Sequence, residues 1–153
     1  MTYYKVKSSR IAWSCPWFQV RHDELLGPEG RTNIYNVVEK PASVWIVPVT
    51  SDVKIVLIYN YRYTVDEWCW EIPAGNQIAG MTIRESAERE LKEEVGGKAE
   101  KIEYIGQFYA ASGICSEVSH LFFATDVILG EPSHELSEIM EIHTKPISEA
   151  IHM

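Results

Sequence analysis

Two hydrophobic periodicities alternate along this chain. In the first forty residues, strand-like pieces at 3–6 and 11–20 lead to a turn at Gly27-Pro28-Glu29-Gly30, and 34–38 reads as another strand closed off by Pro41. This stretch, 1–42, reads as a small β arm, because so few strands bury too little to stand alone. From Ser43 the pattern strengthens. SVWIVPV and VKIVLIYNYR are β-branched and aromatic runs on either side of Thr50-Ser51-Asp52, which predicts a hairpin. A third strand, 68–72, ends at Pro73-Ala74-Gly75. Ile83, Ala87, Leu91 and Val95 then recur every four residues, the apolar stripe of a helix over Ile83–Val95. Thr82 stands as its N-cap with Glu85 three residues on, a capping box, and Gly96-Gly97 supplies the stop. Further strands follow at 101–109 and 118–127 around a loop, 110–117, then an acidic loop at 131–137, a last strand at 139–144 and a short helix opened by Pro146. Strands outnumber helices and do not alternate regularly with them. The expectation is an α+β domain over 43–153, a mixed sheet packed by a few helices, not a doubly wound parallel sheet.

Composition narrows the class. At 153 residues the chain is one domain's length, with 46% hydrophobic and 24% charged positions. Fourteen basic against twenty-two acidic residues leave a net charge of -8, which argues against non-specific binding to nucleic acid or anionic membranes. A protein so acidic that acts on a phosphorylated metabolite wants a divalent cation between the two anions. Cys15, Cys69 and Cys115 are scattered, without a C-x-x-C pair, which fits reduced thiols. The apolar runs are strand-sized, and MTYYKVKSSRIAW lacks a signal peptide's apolar stretch, so a cytoplasmic protein is expected.

The helix is more acidic than it needs to be. Glu85 has Arg89 four residues on, Glu88 has Lys92, and Glu93 has Arg89 one turn back. Glu90 and Glu94 have only each other, with Glu93 beside both. Glu93 and Glu94 also occupy the last turn, where the helix dipole disfavours anions by about 0.3–1 kcal/mol, and they flank the apolar stripe, so part of each is expected to be buried. A solvated acidic face is the plain alternative. The preceding Pro73-Ala74-Gly75 turn is placed to aim a carbonyl at the same point, and oxygen-only donors select a hard cation, magnesium first and manganese second.

These residues carry a family resemblance. Gly75-x5-Met81-x7-Arg89-Glu90-Leu91-x-Glu93-Glu94-x-Gly96-Gly97 closely resembles the Nudix box, G-x5-E-x7-R-E-U-x-E-E-x-G-U with U apolar, matching seven of nine specified positions over 23 residues. Met81 replaces the first glutamate and Gly97 the final apolar residue. The flanks resemble the ADP-ribose pyrophosphatase branch: Trp68-x-Trp70-Glu71-Ile72-Pro73-Ala74-Gly75, Tyr59-Asn60-Tyr61-Arg62, and Ala111-Ser112-Gly113 followed by His120-Leu121-Phe122-Phe123-Ala124. The resemblance implies an α/β/α sandwich around a mixed sheet.

It also implies roles. Glu90 and Glu94 would be direct magnesium ligands, Glu93 a third ligand or one acting through water, and the carbonyl of Ala74 a further donor. Arg89 would orient Glu93. A glutamate from a later loop would be the general base: Glu138, with Glu135 as the substitute. Arg62 matches an arginine that faces the substrate's phosphates, although a surface salt bridge is an equal reading. Gly75 would take part in substrate binding. Trp13, Trp17 and Phe18 are candidates for stacking an adenine, with core or interface packing as the alternative, and in this branch the arm can reach across a homodimer. The expected activity is magnesium-dependent hydrolysis of a nucleoside diphosphate sugar, ADP-ribose giving AMP and ribose 5-phosphate. Two alternatives stand beside it: another nucleotide sugar such as GDP-mannose, and a sensor that binds ADP-ribose without turnover. Met81 is expected to weaken metal affinity without abolishing activity.

Overall fold

A computed structural model of the chain describes residues 3–134 and 139–153, and it divides into two compact units, 1–42 with 108–119, and 43–107 with 120–153.

In the first unit, β1 (Lys5–Ser14), β2 (Gln19–Leu26) and β3 (Thr32–Glu39) form an antiparallel sheet in that order. The single strand expected over 11–20 is two strands. Pro16 has no N–H to give a ladder, and the Cys15 N–H turns back to the Phe18 carbonyl at 2.9 Å. The last six residues of β2, Arg-His-Asp-Glu-Leu-Leu, are too polar to read as a strand. They form one because their charges find partners: buried Asp23 accepts from the Ser9 hydroxyl at 2.6 Å and from Arg21 Nε at 2.9 Å. These bonds from Ser9 and Arg21 hold the Asp23 carboxyl below its usual pKa. The segment 108–119 joins this unit through β3: the Val38 N–H donates to Ile114 O at 2.8 Å and Val38 O accepts from Ser116 N–H at 3.0 Å.

The second unit holds β4 (Ser43–Pro48), β5 (Lys54–Arg62), β6 (Glu67–Glu71), β7 (Ala74–Asn76), α1 (Ile83–Val95), β10 (Met140–Pro146), the four-residue α2 (Ile147–Ala150), and nearly all of β8 (Lys101–Phe108) and β9 (Ser119–Thr125). The strands make two sheets, ordered β10-β5-β6 and β7-β4-β9-β8. This is the expected α+β architecture, a mixed sheet arrangement with few helices. The expected hairpin between β4 and β5 survives only as a tight turn with one bridge, Val49 to Ile55, after which the two strands enter different sheets. Pro48 explains the parting, since it has no N–H to continue a ladder with β5.

Both sheets and the helix share one core. Val44 and Ile46 of β4, Val56 and Ile58 of β5, Ala87, Leu91 and Val95 of α1, and Phe122 and Ala124 of β9 are all buried together. The periodic stripe read from the sequence is therefore the face α1 buries, with Ile83 packed at its edge. Pro73 performs a second switch. It ends the pairing of β6 with β5, and its carbonyl accepts from Ile46 N–H at 2.9 Å, so the chain crosses to β4 and pairs Ala74 with Trp45 and Gly75 with Val44. That crossing brings Ala74 and Gly75 onto α1. Among the described residues no helix is long and apolar enough to cross a membrane.

Candidate active site

The helix begins and ends where its local chemistry dictates. The Thr82 hydroxyl accepts from Glu85 N–H at 3.2 Å, and the Glu85 carboxylate accepts from Thr82 N–H at 2.8 Å. The carboxylate also accepts from the Thr82 hydroxyl at 2.8 Å, and the two bonds it receives from Thr82 hold the Glu85 carboxyl below its usual pKa. At the other end Gly96 takes φ 61°, the left-handed conformation, and Gly97 N–H reaches back to Leu91 O at 2.9 Å. Fully buried Ser86 ties the preceding loop to the helix, accepting from Ile78 N–H at 3.2 Å and donating to Thr82 O at 3.1 Å. In that loop Met81 is exposed, and its backbone is held by Ile78 O and by the Gln77 amide at 3.2 Å.

Side-chain pairing along α1 differs from the sequence reading in two places. Glu85 is spent on the cap and does not meet Arg89, because its two bonds from the Thr82 N–H and hydroxyl outweigh an exposed ion pair worth a few tenths of a kcal/mol. Glu88 pairs with Arg84 at 3.0 Å and not with Lys92, a swap between two exposed pairs of similar worth. The Arg89–Glu93 pair forms as expected, at 2.7 Å. Glu93 strengthens the Arg89 guanidinium's hold on its proton, with a smaller contribution from Glu90.

Glu90 and Glu94 behave differently from the rest. Both project towards the Ala74-Gly75 turn. Glu94 is 9% exposed, and its Oε2 accepts from Ala74 N–H at 2.9 Å. Glu90 lies against the bare α-carbon of Gly75: a Cβ built there would overlap the Glu90 carboxylate itself. Glycine at position 75 is therefore a steric requirement of Glu90. Across β5 and β6, Arg62 Nε donates to Glu71 Oε1 at 2.8 Å, and its terminal nitrogen donates to the other carboxylate oxygen, a bidentate pair. Glu71 first, and Glu94 after it, raise the Arg62 pKa above the usual arginine value, which places Arg62 in the field of Glu94. Asn60, buried, faces the same Glu71 carboxylate at 3.5 Å.

The structure thus brings together Arg62, Ala74, Gly75, Glu90 and Glu94, with Glu93 on the adjoining face of α1. What it shows of Ala74 is its N–H on Glu94. Among the described residues, no three Asp, Glu, His or Cys side chains converge as a metal cluster. Glu93 is paired with Arg89. The donor set nonetheless suits a hard ion: carboxylate oxygens at the end of a helix, one of them seated where glycine alone leaves room. Trp13 belongs to the first unit, half-exposed and 5.2 Å from the Phe18 ring. Glu138 and Glu135 lie outside the described residues.

Two contributors escaped the sequence reading. One is Glu71 as the partner of Arg62. The other is the loop before 135, which closes the C-terminal end of α1: Ser133 N–H donates to Glu93 O at 2.8 Å, and His134 Nε2 lies 2.6 Å from Glu94 O. A carbonyl only accepts, so Nε2 carries the proton. Gly96 backs onto the Gly130 backbone too closely for any side chain. Nothing local in the sequence announces a bond between residues forty positions apart.

A strand-to-turn segment laid on a capped helix that aims carboxylates at a bare glycine is the arrangement of a NUDIX domain, and the chain belongs to that family: the domain model matches residues 39–151. Among curated relatives, the chain is 33% identical over 111 residues to ADP-ribose pyrophosphatase of Bacillus subtilis (strain 168), covering 72% of this chain and 60% of that one. It is also 33% identical over 136 residues to ADP-ribose pyrophosphatase of Mycobacterium tuberculosis (strain ATCC 25618 / H37Rv), covering 87% and 66%. The chain therefore spans somewhat less than two thirds of these relatives' lengths. The crystal structure of an ADP compounds hydrolase superposes with a TM-score of 0.86 over 99% of this chain and 82% of that one, at 21% identity, a likeness of fold.

Proposed function

We propose that this chain hydrolyses the pyrophosphate bond of a nucleoside diphosphate sugar in a magnesium-dependent reaction, with ADP-ribose giving AMP and ribose 5-phosphate. The observation that carries the reading is the seating of Glu90 and Glu94 together against Ala74-Gly75, which gathers two carboxylates at the end of one helix where a cation would be drawn to both. The names of the curated relatives support the choice of substrate.

Glu90, Glu94 and Glu93, with the carbonyl of Ala74, would hold magnesium, and manganese would substitute for it. When bound, the ion supplies neutralisation of the pyrophosphate oxygens and of the charge that grows on the leaving phosphate. The chain's own residues do the rest. Arg62 exchanges part of its pairing with Glu71 for the substrate's phosphates, which a forked guanidinium meets two oxygens at a time. Arg89 keeps Glu93 oriented. Gly75 contributes to substrate binding through its backbone. Glu138 takes the proton of the attacking water, with Glu135 as its substitute. The first unit serves as a dimerisation arm, on which Trp13 stacks the base. All ten residues of β1 are exposed in the single chain, with Val6, Ile11 and Trp13 among them, which supports a covering partner copy.

A second reading, an ADP-ribose-binding sensor, draws on Met81, since a thioether cannot take a charged hydrogen bond. The deciding experiment is phosphate release from ADP-ribose, GDP-mannose and other nucleotide sugars with magnesium, coupled to a phosphatase, with Glu94→Gln as control. Turnover greatest on ADP-ribose and lost in the variant is the expected result. Greatest turnover on GDP-mannose moves the substrate, and binding of ADP-ribose without any turnover selects the sensor.

A further inference from the structure

Two departures meet at one place on α1. Glu88 pairs with Arg84, so Lys92, which the sequence pattern gave to Glu88, has no ion-pair partner among the described residues; nor has Lys98. Gly97 stands where the box pattern calls for an apolar side chain. Lys92, Lys98 and Gly97 line a single cavity of about 490 Å³, within the second unit. Its inner wall is apolar, formed by Leu91, Gly97, Ala99 and Ile102, of which Leu91, Gly97 and Ile102 are buried. A Cβ at position 97 would stand 2.9 Å from Leu91 Cγ, so an apolar side chain there would contend with Leu91 for this space.

The mouth is charged. Arg84 and Glu88 neutralise each other at 3.0 Å, leaving exposed Lys92 and Lys98 against Glu100, a net positive rim on a chain of net charge -8. At about 100° of turn per residue, Arg84, Glu88 and Lys92 lie on a side of α1 turned away from Glu90 and Glu94, so this cavity is separate from the candidate active site. Its size falls in the range of about 300–1,000 Å³ that encloses a small organic molecule.

We propose that this cavity is a second binding site, for a small organic anion whose ring or chain enters against Leu91, Gly97 and Ile102 while its phosphate or carboxylate sits between Lys92 and Lys98. An apolar wall alone would select any hydrophobe, and two lysines alone would select any anion; the pair together selects an amphiphilic one. The proposal does not depend on the hydrolase reading.

Amide chemical shifts of the ¹⁵N-labelled chain test it, titrated separately with 1-naphthyl phosphate, octanoate and inorganic phosphate. The expected result is saturable movement of Gly97, Lys98, Ala99 and Ile102 with naphthyl phosphate, octanoate or both, and little with inorganic phosphate. Lys92→Glu with Lys98→Glu, both surface positions, weakens that binding roughly tenfold. Gly97→Val, which displaces Leu91 from the apolar wall, abolishes it; if that variant does not fold, the lysine pair decides. Equal response to inorganic phosphate, movement centred on Gly75 and Glu94, or affinity unchanged by the charge reversal would each overturn the proposal.

Discussion

At the scale of single residues, the site is governed by how little room Gly75 leaves. Gly75→Ala puts a methyl group into the Glu90 carboxylate, so Glu90 must move. Metal affinity, read by manganese titration calorimetry, is expected to fall by about 10–100-fold, the usual loss when a ligand is displaced by its support. Glu94→Gln is expected to abolish turnover while the Ala74 N–H keeps an acceptor, so circular dichroism and melting temperature should stay close to wild type. Met81→Glu, at an exposed position in a loop already held by Gln77 and Ser86, is expected to lower the magnesium concentration needed for half-maximal rate. An unchanged magnesium dependence would show that position 81 has no part in metal affinity.

At the scale of the element, α1 is positioned by its two ends. Thr82→Ala removes the N-cap, at a cost of about 1 kcal/mol, which lowers the melting temperature by about 2–4 °C in a domain of this size. The cap also carries a pH signature. The folded pKa of Glu85 is depressed by the Thr82 bonds, so its contribution to stability is present above the unfolded carboxylate value, about 4.3, and is lost as pH falls through the folded value. Urea unfolding of Glu85→Gln should therefore differ most from wild type at neutral pH and converge with it under acid; a constant difference would refute the linkage. The helix was legible in the sequence for the same reason it is stable: stripe, capping box and glycine stop all lie within sixteen consecutive residues, 82–97. The strands were less legible. β2 buries Asp23 against Ser9, fourteen residues away, and β4 and β5 part to separate sheets, facts that no local window contains.

At the scale of the whole molecule, the first unit is a three-stranded sheet whose outer strand β1 is exposed along its full length. Such a sheet leaves Ile11 and Trp13, about half exposed, facing solvent unless a second copy covers them. Sedimentation velocity is expected to find a dimer, and Ile11→Ser with Trp13→Ser to shift it towards monomer while the second unit, with its own core, keeps its fold. A monomeric wild type would remove the arm from the dimer reading.

The sequence alone determined α1, its caps, the box spacing and the strand-rich α+β class, because each rests on contacts between residues a few positions apart or on periodicities that any window displays. Tertiary structure alone decided which acids turn inwards. Glu90 and Glu94 face Ala74 and Gly75 because Pro73 moves the chain from one sheet to the other, and Arg62 meets Glu71 because β5 and β6 pair. It also decided that Lys92 is left without its glutamate, since Glu88 had two cations one turn away and the sequence held no preference between them. The contacts of Arg62 and Glu94 span nine and twenty residues, where direction is set by the packing of sheets against a helix and not by the order of side chains along the chain.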